Sequence, residues 1–234
     1  LAVQISDRHY GIGSDGLILI CPSDVADVKM RMFNADGSEA QMCGNGIRCL
    51  AKYVYDHNLV EPDHEFSVPG VGTFPSSLKV ETSRGVLTVG LHPDDDDLVD
   101  RVCVNMGQPI LKSTEIPVDI DEEQVVDVTI SIEDQNLSMT CVSMGNPHAV
   151  FFCEDLDAIN LEHIGPLIEN NELFPERVNV HFVKADNPTE FTMRTWERGS
   201  GITLACGTGA CASLVAAPLT GRAGREARVR LDGG

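Results

Sequence analysis

Apolar and polar positions alternate along most of this chain in short, strand-length runs. Residues 17–21 form one apolar run, and 28–33 alternates around Lys29 and Arg31, so both read as strands. Runs at 77–82, 86–91 and 101–106 follow, the first two split by the Ser83-Arg84-Gly85 turn. Past Pro109 and the charged stretch near Glu115, strand signals return at 125–132, 137–144, 149–153, 179–183 and 190–196. Helical spacing (i, i+3, i+4, i+7) picks out Ile47, Leu50, Ala51 and Val54, which predict a helix over 44–56. It also picks out Ala210, Ser213, Leu214 and Ala217 in a second helix, stopped by Pro218 and Gly221. A shorter helical piece is expected over 161–170, interrupted or started by Pro166. Many strands, short turns and one central helix per half predict an α+β, mostly antiparallel architecture.

The two main helices open alike. Cys43-Gly44-Asn45-Gly46 maps onto Cys206-Gly207-Thr208-Gly209 at a shift of 163 residues, and the apolar face behind each maps with one polar exchange, Ser213. A duplicated unit of strand, turn, thiol, glycine-rich amide nest and buried helix favours two lobes in the 234 residues, divided here at 1–104 and 105–234.

Composition is that of a soluble globular protein. No apolar run approaches the roughly 20 residues that cross a bilayer, and no signal peptide is visible. The net charge of −19 argues against nucleic acid and anionic membranes as partners. Asp94 to Asp97 lacks the spaced ligands and glycine of a calcium loop and reads as a solvated turn. The eight cysteines lack the spacing of a zinc site and the secretory context of a disulfide framework. Cys21, Cys103, Cys141 and Cys153 fit small core residues of strands, and Cys49 and Cys211 read as helix packing. Cys43 and Cys206 differ in standing at helix starts.

A helix N-terminus lowers a thiol's pKa and favours negative charge, while glycines let the backbone approach a ligand. Each Cys-Gly-x-Gly therefore sets a potential base beside an anion cradle. Two such units facing one cleft could hold one carboxylate between them. One thiolate would take its α-proton, and the other thiol would return one on the opposite face. Preorganised amides would stabilise the enolate formed between these steps.

Further blocks surround the thiols. Asn34-Ala35-Asp36-Gly37-Ser38 precedes Cys43-Gly44-Asn45-Gly46-Ile47-Arg48. Met144-Gly145-Asn146-Pro147-His148, Arg177-Val178-Asn179-Val180 and Trp196-Glu197-Arg198-Gly199 through Gly209 follow in order. Together, over most of the chain, they resemble the diaminopimelate epimerase family. The resemblance implies two pseudo-symmetric lobes, each a sheet wrapped around a central helix, with the active site in the cleft between them. It implies cofactor-free inversion of LL-2,6-diaminopimelate, a small-molecule substrate, to the meso form in lysine and peptidoglycan synthesis, with no metal. It makes Cys43 the proton donor and Cys206 the acceptor from the LL side, with His148 and Glu197 tuning the thiols. Gly44, Asn45, Gly207 and Thr208 would bind the reacting carboxylate. Asn34, Asn146, Asn179 and Arg198 would hold the distal amino-acid end, with Glu197 near an ammonium. Arg offers carboxylates a planar fork, and Asn both donates and accepts. Gly16 stands where some relatives carry a substrate-contacting Gln. His9, His57, His64, His92, His163 and His181 have no comparable context and are left as structural.

The family's opening Lys-Met-x-Gly-x-Gly-Asn-Asp-Phe-like block has no counterpart here, and members run past Gly234. The first lobe is therefore expected to lack its first strand, and the second to end before the strands that return to the first. Unpaired edges leave self-association as a homodimer open. A cytoplasmic setting is expected, or the plastid stroma in a plant. Competing readings are a proline racemase type, which shares paired thiols but lacks a second substrate end, and a phenazine-type isomerase without the two thiols. A redox sensor pairing Cys43 with Cys206 and a catalytically inactive fragment are the others.

Overall fold

The computed structural model describes residues 1–40, 43–63, 65–68 and 71–233; His64 lies outside them. The chain divides into two compact units, Leu1–Gly107 and Gln108–Gly234. Both are mixed α+β.

In the first unit α1 (Ala2–Ser6) precedes β1 (Gly16–Cys21), β2 (Val28–Asn34) and β3 (Glu39–Ala40). Helix α2 (Gly44–Asp56) follows, then the hairpin β4 (Phe66–Val68) and β5 (Gly72–Phe74). Strands β6 (Ser76–Thr82), β7 (Gly85–Pro93) and β8 (Val99–Val104) complete a sheet ordered β1-β2-β6-β7-β8, with β3 also on β2. Among the described residues, only the β2–β6 pairing in that sheet is parallel. The helical periodicity holds: Ile47, Leu50, Ala51 and Val54 are buried against Val28, Met30, Leu78, Val80, Val89 and Leu91. Asp94 Oδ1 accepts from the Asp96 and Leu98 amides, closing the turn between β7 and β8.

The second unit contains β9 (Val128–Ile132), β10 (Gln135–Ser143), β11 (Pro147–Phe152), α3 (Leu161–Glu169), β12 (Asn179–Asn187) and β13 (Glu190–Glu197). It ends with β14 (Gly201–Thr203), α4 (Gly207–Leu219) and β15 (Arg228–Arg230). The sheet runs β14-β13-β12-β11-β10-β9, with β15 parallel to β13. Period-two alternation divides its residues between two faces. Phe151, Phe182 and Val180 pack with Ile164 and Ile168 of α3. The alternate set, including His148 and His181, faces α4, where Ser213 Oγ donates to Met193 Sδ at 3.2 Å.

The duplication is structural as well as sequential. Shifted by 163, β1 begins at the first residue of β12, Asn179, and α2 becomes 207–219, the span of α4. The pairing Gly16↔Asn34 becomes 179↔197, in register with the observed Val180↔Trp196. Met32↔Ala40 becomes the observed Thr195↔Thr203.

Several expectations are corrected. The buried face of α4 is Ala212, Ser213, Ala216 and Ala217, while Ala210 and Leu214 are half-buried. This helix is apolar nearly all round, so its pattern does not fix its orientation; small side chains meet the sheet. Cys49 faces solvent on α2. Pro166 lies inside α3, which is capped instead by Asn160, whose side chain accepts from the His163 amide at 3.3 Å. The carbonyl that Pro166 cannot serve belongs to the exposed Glu162, where water reaches it. Pro218 likewise falls within α4.

Candidate active site

Each thiol residue occupies the N-cap position of a helix, in extended backbone: Cys43 at φ −141°, ψ 109° and Cys206 at φ −131°, ψ 98°. In the first unit Cys43 Sγ accepts from the Gly46 amide at 3.3 Å. Arg48 braces the same turn, donating from Nε to the Gly44 carbonyl at 3.3 Å and from Nη2 to Asn45 Oδ1 at 2.6 Å. Asn34 ends β2, its Nδ2 donating to Ser38 Oγ at 3.0 Å. Gly16 pairs with Asn34 across the hairpin, and a Cβ there would stand 2.4 Å from the Phe33 carbonyl oxygen, so it serves close strand packing.

The second nest is drier and more polar. Cys206 is 3% exposed, its Sγ 3.5 Å from Thr208 Oγ1. Thr208 Oγ1 accepts from Asn146 Nδ2 at 3.3 Å, and Asn146 Oδ1 is 2.9 Å from His148 Nε2. His148 Nδ1 is 2.8 Å from His181 Nε2, whose other nitrogen is 2.9 Å from Thr195 Oγ1. Both rings are fully buried. A Cβ on Gly209 would meet the His181 ring at 2.3 Å, so glycine is what lets α4 start against the imidazole.

Burial pushes the Cys206 thiol well above its ordinary range. The Glu197 carboxylate adds to that shift, while the Thr208 hydroxyl and Gly209 amide oppose it. Glu197 itself accepts from Thr203 Oγ1. The cluster of His148, His181 and Cys206 brings three possible metal-ligand atoms within 4.8 Å of one another, but the imidazoles already engage each other.

Burial also pulls His181 from 6.5 down to about 3. Its charged form is excluded from the folded state, so the unfolded chain alone takes up this proton as pH drops below 6.5. The stability that rests on a neutral His181 is present above 6.5 and lost down to about pH 3. The expected slope is about 1.4 kcal/mol per pH unit within that window. Urea midpoints measured across it should flatten in His181→Gln; parallel slopes for the two proteins contradict the assignment.

The Trp196–Gly199 turn is held from below. Glu169, 5% exposed, accepts from Trp196 Nε1 at 2.7 Å, the Gly199 amide at 2.9 Å and Arg177 Nη1 at 3.2 Å. Asn179 donates to the Pro147 carbonyl at 2.8 Å and accepts from the Arg198 amide at 3.0 Å. Arg198 Nη1 donates to the Glu176 carbonyl at 2.8 Å; burial, then the neighbouring Arg177, lower its pKa. Asn146, His148, Asn179, Glu197, Arg198, Cys206 and Thr208 are thus tied into one region of the second unit.

Sequence reasoning passed over Glu169, Thr195 and His181. For His181 a signal existed, because the repeat aligns it with Ile18. For Glu169 the signal was an acid in the last turn of a helix, against the dipole, which asks for compensating donors.

The chain matches the family model described as diaminopimelate epimerase over residues 1–112 and 140–234. The chain belongs to the diaminopimelate epimerase family. It is 49% identical over 234 residues to the diaminopimelate epimerase of Desulfitobacterium hafniense, covering 100% of this chain and 78% of that one. It is 50% identical over 230 residues to that of Methanococcus maripaludis strain S2, covering 98% and 78%. Membership in this epimerase family makes the chain an isomerase.

Among solved structures it resembles a hydroxyproline epimerase from Agrobacterium vitis, with a TM-score of 0.68 at 16% identity. A probable proline racemase from Agrobacterium radiobacter gives 0.67 at 16%. The likeness covers 95% of this chain in both cases, and 65% and 66% of the solved chains. These two likenesses show the fold that this chain shares with them. No described helix is long and apolar enough to cross a membrane.

Proposed function

We propose that this chain interconverts LL- and meso-2,6-diaminopimelate by proton transfer between Cys43, Cys206 and the two faces of one α-carbon, in lysine and peptidoglycan synthesis. The observation that carries the reading is the duplicated thiol at the start of α2 and α4, repeated register for register.

From the LL side, Cys206 is the base and Cys43 the acid. The raised pKa of Cys206 means that the free protein stores this base as a thiol. Glu197, which acts on it at hydrogen-bond range, is the proposed acceptor of the thiol proton. The resulting thiolate breaks the α-C–H bond and becomes S–H again. The electron pair passes into an enolate, stabilised by the helix-start amides of Gly44, Asn45, Gly207 and Thr208 around the carboxylate. Cys43 then gives its proton to the opposite face. Asn34, Asn146, Asn179 and Arg198 hold the distal amino-acid end, and Glu197 lies near an ammonium. The reverse reaction exchanges the two sulfurs.

Supplied reduced with LL-diaminopimelate, meso-diaminopimelate and L-proline, the protein is expected to interconvert the first two and leave proline unchanged. Racemisation of proline without turnover of diaminopimelate would move the reading to the proline racemase type.

A further inference from the structure

From Thr195 to Cys206 six side chains form one hydrogen-bonded line, along which one consistent set of proton positions can be written. Asn146 Oδ1 carries no hydrogen, so His148 Nε2, 2.9 Å away, is the donor. With His148 neutral, the form that burial favours, its Nδ1 is an acceptor, and His181 Nε2 at 2.8 Å donates to it. His181 Nδ1 accepts in turn from the Thr195 hydroxyl at 2.9 Å. On the other side Asn146 Nδ2 donates to Thr208 Oγ1 at 3.3 Å, which leaves the Thr208 hydrogen available to Cys206 Sγ at 3.5 Å once that sulfur is a thiolate. In this arrangement every donor in the line points toward the sulfur. Linked donors polarise one another in a dry interior, and the anionic form of the sulfur gains most.

The first unit shows what folding alone requires at these places. His181 and Thr195 are cross-strand partners, and so are their counterparts 163 residues earlier, Ile18 and Met32. Gly46 faces Ile18 as Gly209 faces His181. The same strands, thiol and helix start are therefore built there with an apolar pair. Burying an imidazole and a hydroxyl costs free energy unless both are bonded. The polar pair is an addition that the fold does not need.

We propose that His181, backed by Thr195, is a positioning residue for Cys206: through His148 and Asn146 it holds the Thr208 hydroxyl as a donor to the sulfur. The inference rests on the reading of Cys206 as a proton-transfer group. It also makes the two thiols unequal, since Ile18 and Met32 cannot supply such a line to Cys43.

The first test is ¹⁵N NMR of the histidine-labelled protein, which should show both His148 and His181 as the Nε2–H tautomer. The second replaces His181→Ile together with Thr195→Met, the pair the first unit already uses. Alkylation of Cys206 is followed against pH in a Cys43→Ala background. Glu197 from β13, His148 from β11 and His181 from β12 are the titratable groups facing this sulfur, and Glu197 is unchanged in all variants. The alkylation midpoint should move upward in the double replacement. With both cysteines present, kcat from the LL side should fall about 10- to 100-fold, the worth of one hydrogen bond to a charged group. KM should stay within about twofold, the signature of an interaction used in the chemical step. His181→Gln keeps an N–H for His148 Nδ1 and should recover most of the loss. An Nδ1–H on either ring, or a wild-type alkylation midpoint in the double replacement, overturns the proposal. Should the double replacement fail to fold, His181→Gln and His181→Ala are compared instead, and equal midpoints overturn it. If the tautomers and midpoints hold while the unaltered protein leaves diaminopimelate untouched, the positioning role stands and the substrate assignment fails.

Discussion

Cys43→Ala and Cys206→Ala each stop conversion of LL- to meso-diaminopimelate, with a loss of about 10²- to 10⁴-fold or more, the range for a positioned proton-transfer group. The two variants are not equivalent. Cys43→Ala keeps the sulfur proposed to take the α-proton from the LL side, so that proton can leave and be replaced on the same face without inversion. Cys206→Ala keeps the sulfur that acts from the meso side. Chiral separation of products after long incubation, beside NMR of the α-proton, distinguishes exchange from inversion. Full epimerisation by either variant contradicts a mechanism that needs both thiols. Loss of folding is not the expected cause, since alanine conserves the backbone at both caps and Cys43 is only half-buried.

Gly209→Ala lowers stability by about 1–3 kcal/mol or more, the usual cost of overpacking. The added methyl lies 2.3 Å from His181 Cε1 and 2.7 Å from Nε2, and that ring is fully buried with both nitrogens bonded. Relief requires breaking the line to His148 or moving the first turn of α4. Gly46→Ala is the internal control. Its methyl meets Ile18 at 2.9 Å through Cδ1, the free end of a side chain that can rotate. Alanine's better helix propensity, about 1 kcal/mol, favours both replacements alike. Thermal unfolding should therefore rank Gly209→Ala well below Gly46→Ala; the reverse order removes the steric argument. The same variant should also lose epimerase activity, because the displaced ring no longer supports His148.

Much of this architecture is legible in the sequence. The span of α2 was readable because Ile47, Leu50, Ala51 and Val54 alternate with exposed residues on an amphipathic helix. The same logic failed on α4, where alanines surround the axis and no polar face marks the outside. The short strands β3, β14 and β15 escaped notice since two or three residues carry no alternation. Their register with β2 and β13 follows from the duplication instead. The thiol nests were readable from Cys-Gly-x-Gly alone, because extended caps and close helix starts need those residues. His181 was harder to read, because a lone histidine in a strand is marked only by its repeat counterpart, Ile18, and gains meaning with its cross-strand partner, Thr195. An acid at the end of α3 marks Glu169 as needing donors, but the ones it serves, Trp196 Nε1 and the Gly199 amide, are about thirty residues away in sequence.

The distinguishing measurement is the early course of the reaction in D₂O, starting from protiated LL-diaminopimelate with the reduced protein. Two sulfurs working on opposite faces predict that the first meso product carries solvent deuterium at the inverted carbon while unreacted LL substrate keeps its protium. Meso product that retains the substrate's own α-hydrogen would mean that one group serves both faces, and would contradict the account.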